Sequence, residues 1–237
     1  MKKLKGVAFH QLLSFSKLIM GNKESDKSVI FFPGCSLSNL GKSEVELVWK
    51  RVLKESKLDV GIFFGCCGRP GEINLIKSRE KYKSKLEKSL KKAKIREIIT
   101  ACPNCHDYFE RHFSHLKIRS VWEVINFENI KFEDIDTIQM PCPYRKNQNE
   151  VKLIELSENL NLNFKKINYS CCLLDKDKLF GKVMTFCISC REQINKKGYE
   201  TVHYLEEGEF GISKEKSKNA ICKMMNRIIL NLFCKGK

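Results

Sequence analysis

Ten of the twelve cysteines stand in one order that the chain uses twice. The first set is Cys35, a gap of 30 residues, the adjacent pair Cys66-Cys67, a gap of 34, and Cys102-x-x-Cys105. The second is Cys142, a gap of 28, Cys171-Cys172, a gap of 14, and Cys187-x-x-Cys190. A single cysteine, a vicinal pair and a CxxC recurring in the same order mark an internal repeat. Cysteines this far apart act together only if the topology returns their loops to one place.

The hydrophobic pattern supplies such a topology. Short apolar runs lead into each cysteine motif, at Val29–Phe32, Val60–Phe64, 95–100, 136–140, 164–169 and 183–186, with further strands expected over 117–125 and 201–205. Between them lie helical patterns. One is expected from a capping box at Ser43 to about residue 57. Another covers 73–92, with Leu75, Tyr82, Leu86 and Leu90 on its buried side, and a third covers 149–160. Strands alternating with helices imply βαβ units and parallel sheets. Right-handed crossovers place all strand C-termini on one edge, where open α/β sheets bind ligands. The expected fold is therefore α/β, with two related Rossmann-like units whose cysteine loops lie at the strand C-terminal edges. The expected organisation is a lead-in helix and linker over 1–27, a first cysteine-rich unit over 28–128, and a second over 129–237.

The chain of 237 residues is long enough to bury a core without disulfides. The lysines at 2, 3 and 5 precede an apolar stretch, but Lys17 interrupts it and no small-residue cleavage site follows, so an amphipathic helix is expected, with Phe9, Leu12, Leu13, Leu18 and Ile19 apolar and a polar linker over 21–28. No apolar run is long enough for a membrane span. A cytoplasmic location is expected, where thiols stay reduced and clustered cysteines read as metal ligands or redox groups. Thiolates suit iron–sulfur clusters, copper(I) and zinc. A CxxC at a strand-to-helix turn aims two sulfurs at one point, next to a helix N-terminus that favours thiolates. Each set offers five sulfurs, one more than a cubane cluster or a zinc ion requires.

The net charge of +16 is uneven, with 25 Lys and Arg against 13 Asp and Glu over residues 1–125. The densest basic run, 77–96, reads as a solvated helix face or a docking face for an acidic redox partner. A helix-turn-helix or stacking aromatics would be needed for nucleic acid, and neither is present. Gly41-Lys42-Ser43 lacks the glycine spacing of a P-loop. His106 is expected on a helix surface, Cys222 as a packed side chain in a tail helix over 214–233, and Ile221, Met224, Met225, Ile228, Ile229 and Leu232 as that helix's core stripe.

Phe-Phe-Pro-Gly-Cys-Ser-Leu (31–37), Gly-Cys-Cys-Gly-Arg-Pro-Gly (65–71) and Cys-Pro-Asn-Cys (102–105) resemble the three signatures of the cysteine-rich CCG domain family. Two-copy members of that family include the cysteine-rich, disulfide-cleaving component of heterodisulfide reductase and iron–sulfur subunits of lactate and glycolate oxidation systems. The resemblance implies two non-cubane [4Fe-4S] clusters. One would be held by Cys35, Cys66, Cys67, Cys102 and Cys105, the other by Cys142, Cys171, Cys172, Cys187 and Cys190. It implies a small disulfide or thiol substrate, with Arg69 a candidate contact for an anionic group, and electrons from a partner subunit carrying flavin or ferredoxin-type clusters. The rival from the residues alone is a structural or regulatory zinc protein. In the second set Pro-Cys-Pro-Tyr-Arg stands where the family often has Pro-Cys-His-Leu, and Leu173 replaces the glycine after the vicinal pair.

Overall fold

The computed structural model describes residues 7–16, 18–22, 27–127, 130–145, 158, 160, 162–172, 179–206, 212 and 220–233. Two parallel sheets carry the two cysteine sets. The first contains β2 (Val29–Phe32), β3 (Val60–Phe64), β4 (Glu97–Thr100) and β5 (Lys117–Ser120), and the second β6 (Thr137–Gln139), β7 (Lys166–Asn168), β8 (Val183–Thr185) and β9 (Thr201–His203). Their spatial orders are β3-β2-β4-β5 and β7-β6-β8-β9. Each therefore places its second strand outside its first and runs the third and fourth the other way. The repeat seen in the cysteines is thus also a repeat of topology. The point where the order reverses lies between the first and third strands, where such sheets open a binding crevice.

β1 (Gly21–Asn22), which falls in the segment expected to be a polar linker, pairs antiparallel with Phe64 and Phe63. It satisfies backbone groups that β3 would otherwise present at an open edge. Among the helices, α1 is Val7–Ser14, α2 Gly34–Ser38, α3 Lys42–Ser56, α4 Arg69–Ile73, α5 Arg79–Lys92, α6 Pro103–His112 and α7 Val121–Val124. Two more are α8 (Ile188–Asn195) and α9 (Ala220–Phe233).

Several expectations are corrected. The helix expected over 73–92 begins only at Arg79, as α5, after the short α4 and a turn. α4 ends in a Schellman turn, with Ile76 N–H bonded to Gly71 O at 2.9 Å and Leu75 N–H to Glu72 O at 3.1 Å. That turn forces Leu75 to φ 53° and leaves it exposed rather than buried. Gly41 is the N-cap of α3, and the Ser43 hydroxyl bonds Glu44 Oε2 at 2.9 Å, so no capping box forms there. The capping box lies at Ser120, which opens α7, so the strand expected over 117–125 stops halfway. The helix expected over 149–160 lies almost wholly outside the described residues.

One apolar core joins the two units. Phe31, Ile62 and Ile99 of the first sheet, Ile138, Met184 and Val202 of the second, and Val45, Val48 and Val52 of α3 belong to it. A second cluster covers the other face of the first sheet, built from Phe15, Phe32, Phe63, Leu86, Leu90, Phe109 and Phe113 among others. α9 ties the parts together. Its Asn226 Nδ2 donates to Asn39 O (2.8 Å) and Leu40 O (3.1 Å), Lys223 pairs with Glu192 of α8 at 2.7 Å, and Arg227 donates to Ser14 of α1 at 2.8 Å. Those contacts explain why α9 buries Arg227 and Leu230 while Ile221, Met225 and Cys222, expected to pack, stay exposed. No helix among the described residues is long and apolar enough to cross a membrane.

Candidate metal centre

All ten motif cysteines lie within a few residues of a strand's C-terminal end. Cys35 and Cys142 follow the central strands β2 and β6. Cys66-Cys67 and Cys171-Cys172 follow the neighbours β3 and β7, and Cys102 and Cys187 follow β4 and β8. Cys102 and Cys187 are both helix N-caps with near-identical backbone, φ −116° ψ 122° and φ −132° ψ 119°. Their carbonyls accept the first bonds of α6 and α8, from His106 N–H and Arg191 N–H, each at 3.0 Å. The second sulfur of each CxxC is then carried on the first helical turn, where unpaired amides favour negative charge. Gly34, at φ 70°, lets Cys105 approach, since a Cβ at that position would sit 3.0 Å from its Sγ.

The sulfurs form one continuous run. Cys35 bonds Cys66, which neighbours Cys67; Cys67 bonds Cys105, and Cys105 bonds Cys102. Cys102 also bonds Cys187 of the other unit, and Cys187 leads to Cys190, which meets Cys142 and Cys172. Along this run depressed and raised thiols mostly alternate. The hydrogen bond from Cys66 holds Cys35 well below the usual thiol range, and Cys105 does the same for Cys67 and Cys102. The bonds made to Cys35 and Cys102 push Cys66 and Cys105 up, and Cys102 pushes Cys187 to about 12. In the second set the bond to Cys190 lowers Cys142 to about 7 and also lowers Cys172, while Cys190 itself is raised by Cys142. Cys171 stands outside the run, beside Arg145, which hydrogen-bonds it.

None of these ten cysteines is in a disulfide, and six of them are buried. Among the described residues no three His, Cys, Asp or Glu side chains converge on one point as a single metal ion would need. A soft-donor set of this extent fits polynuclear iron–sulfur groups, which spread their thiolate ligands over several metal atoms.

The surroundings include residues that the motifs did not reveal. Gln11 Nε2 donates to Cys66 Sγ at 3.2 Å, and Asn104 Nδ2 lies 3.8 Å from Cys187 Sγ. The hydroxyls of Ser36 and Ser189, each next to a motif cysteine, meet at 2.9 Å across the two units. Tyr204 Oη donates to Ala101 O at 2.8 Å, pinning the second unit to the residue before Cys102. Arg69 pairs with Asp107 and, with Arg145, acts electrostatically on Cys142, while the buried Nε atoms of both arginines have no hydrogen-bond partner among the described residues. His106, expected on a helix surface, is buried, with Nδ1 3.2 Å from Glu110 and its ring against Trp122. Only the CxxC neighbourhood could have flagged Asn104. Ser189 lies in the other CxxC and Arg69 in the vicinal-pair motif, whereas Gln11 and Tyr204 become visible only once the chain is folded.

Residues 29–110 match the profile of the cysteine-rich domain family CCG. This segment is similar to a CCG domain. The match contains the whole first set, from Cys35 to Cys105, and ends before the second. No curated protein and no solved structure matches the chain. The second unit lies outside the matched segment, yet it repeats the CCG unit's strand order and its order of cysteines.

Proposed function

We propose that this protein is an iron–sulfur redox subunit holding two [4Fe-4S] clusters, working in a compartment that keeps thiols reduced, such as the cytoplasm. Cys35, Cys66, Cys67, Cys102 and Cys105 would hold one cluster, and Cys142, Cys171, Cys172, Cys187 and Cys190 the other. The observation that carries this reading is the run of nine motif sulfurs across both units, joined at Cys102 and Cys187, with Cys171 outside it. Ten unpaired cysteines, most of them buried, have no simpler use in a chain with an ample apolar core. The non-cubane form of the clusters rests on the family resemblance alone.

Bound clusters would supply one-electron chemistry at the junction of the two units. Reductive cleavage of a small disulfide needs two electrons and two protons and yields two thiols. The electrons would come from a partner subunit carrying flavin or ferredoxin-type clusters, since the chain has no dinucleotide fingerprint of its own. The chain's residues would bind and orient the substrate. Arg69 and Arg145, both beside Cys142, would hold its anionic substituents, and Ser36 and Ser189 meet where the two units touch.

Anaerobic purification tests this directly. The expected product is a brown protein with about eight irons and an equal amount of sulfide per chain. A colourless protein holding only zinc would overturn the reading in favour of a structural or regulatory zinc site. Reduced viologen as donor and a small anionic disulfide as acceptor then test the reaction. Turnover supports disulfide cleavage, whereas reduction by a copurifying 2-hydroxyacid oxidase favours electron transfer in a lactate or glycolate oxidation complex.

A further inference from the structure

α1 lies outside the CCG segment and buries the polar Gln11 and Ser14 beside Val7. Phe9 and Leu12 of this helix, and Leu18 just beyond it, are more than half exposed, whereas Gln11 and Ser14 are fully buried. A free amphipathic helix would present the opposite face. The inversion has a local cause, because the buried stripe faces the first cysteine set. Gln11 Nε2 donates to Cys66 Sγ at 3.2 Å, and the preceding residue, His10, hydrogen-bonds Cys35. Gln11 in turn rests on the glycine that ends the vicinal-pair motif. A Cβ on Gly71 would lie 2.9 Å from Gln11 Oε1, so a larger residue there would push the Gln11 amide aside. Three contacts hold α1 and the turn after it in place: Arg227 to Ser14 at 2.8 Å, Lys85 Nζ to Phe15 O, and the stacked rings of Phe15 and Tyr82 at 4.8 Å.

We propose that α1 is the outer wall of the first cysteine set, and that Gln11 is a positioning residue which donates a hydrogen bond to the Cys66 sulfur and so raises the reduction potential of the group bound there. An N–H···S bond stabilises the more negative, reduced state of a thiolate-ligated cluster. In the second set the amide of Asn104 lies farther off, 3.8 Å from Cys187 Sγ, and Arg145 faces Cys171. The two centres should therefore differ in potential, and this difference should depend on a residue outside the cysteine motifs.

The inference rests on the iron–sulfur reading above, and variants of the full chain keep the two separable. Gln11→Met preserves side-chain length and removes the donor. In iron-loaded protein, potentiometric titration followed by electron paramagnetic resonance should show one centre moving to lower potential and the other unmoved. Phe9→Ser, on the outer face of the same helix, should move neither. Equal potentials in wild type and Gln11→Met, or an equal shift of both centres, would overturn the proposal. If the wild-type chain takes up no iron and sulfide, the functional reading fails, and the wall is judged on metal-free protein. There Gln11→Ala, which keeps helix propensity but removes the cover, should speed alkylation of Cys66 at least about threefold and leave Cys142 unchanged. No change at Cys66 would show that α1 does not close over it.

Discussion

The two units place different chemistry at one equivalent position. At the C-terminal ends of the first two strands of the CCG unit, Phe32 and Phe63 stack with centroids 6.2 Å apart, and Phe109 meets Phe32 edge-on at 5.0 Å. In the second unit the corresponding pair is Gln139 and Asn168, joined by an amide hydrogen bond of 2.9 Å. Gln139 also donates to Ser170 O at 3.0 Å, and Asn168 Oδ1 accepts from Ser170 N–H at 3.1 Å. The rings need an apolar cover, which α5, α6 and Phe15 beside α1 provide. The amides satisfy one another and grip the loop that leads to Cys171. Among the described residues the matching cover of the second sheet is a cluster of only six buried side chains, three of them cysteines. The same cysteine edge can thus be carried by packing or by a polar network, and only the first solution calls for an added helix.

Substitutions that strike one solution and spare the other test this contrast. Phe63→Ala should have the largest effect, about 3–5 kcal/mol in urea unfolding, because it opens a cavity in the ring cluster. A loss below about 1 kcal/mol would break the apolar account of the first unit. Next is Arg191→Met, which leaves Glu206, 1% exposed, without its ionic partner beneath β9. It should cost about 3 kcal/mol, part of which the double variant with Glu206→Leu should restore. Asn168→Leu strands Ser170 N–H and Gln139 Oε1 and should cost about 1–3 kcal/mol. Its faster hydrogen exchange should be confined to the second sheet; spread into the first sheet would mean the units are not separately supported.

The smallest effect belongs to the surface of the first unit. Arg111 bonds Glu72 at 2.8 and 3.0 Å and, ahead of other influences, holds its carboxyl at about 2. A depressed carboxylate stabilises the fold above its unfolded pKa near 4.5 and loses that contribution as pH falls toward 2. The pair is more than one-third exposed, so Arg111→Ala should cost less than about 1 kcal/mol at pH 7. Thermal melts of wild type and variant should converge by about pH 2.

Much of this architecture was legible in the sequence because strands and cysteines obey local rules. Val29–Phe32 and Val60–Phe64 are apolar runs that end at cysteine turns, and the structure keeps those bounds. The repeated order of cysteines anticipated the repeated strand order. Failures came where a distant partner overrides local pattern. Leu75 fits a helical stripe until the Schellman turn rotates it outward. Phe9 and Leu12 look like a core face, yet the helix turns Gln11 inward because a sulfur 55 positions away accepts its hydrogen bond. Nothing near Gln139 or Asn168 in sequence signals that two strand residues will replace a pair of rings. Arg145 was visible as a departure from the family signature, and its contact with Cys171 emerged only in the fold.

The bond between Arg227 and Ser14 spans 213 residues. At ribosomal speeds of about 5–20 residues per second, the second partner emerges roughly 10–40 s after the first. Throughout that interval α1 lacks its latch, and the CCG segment beneath it, which ends at residue 110, is complete for about the second half of it. The contact between α9 and α1 is therefore made late relative to the first cysteine set that it helps to cover.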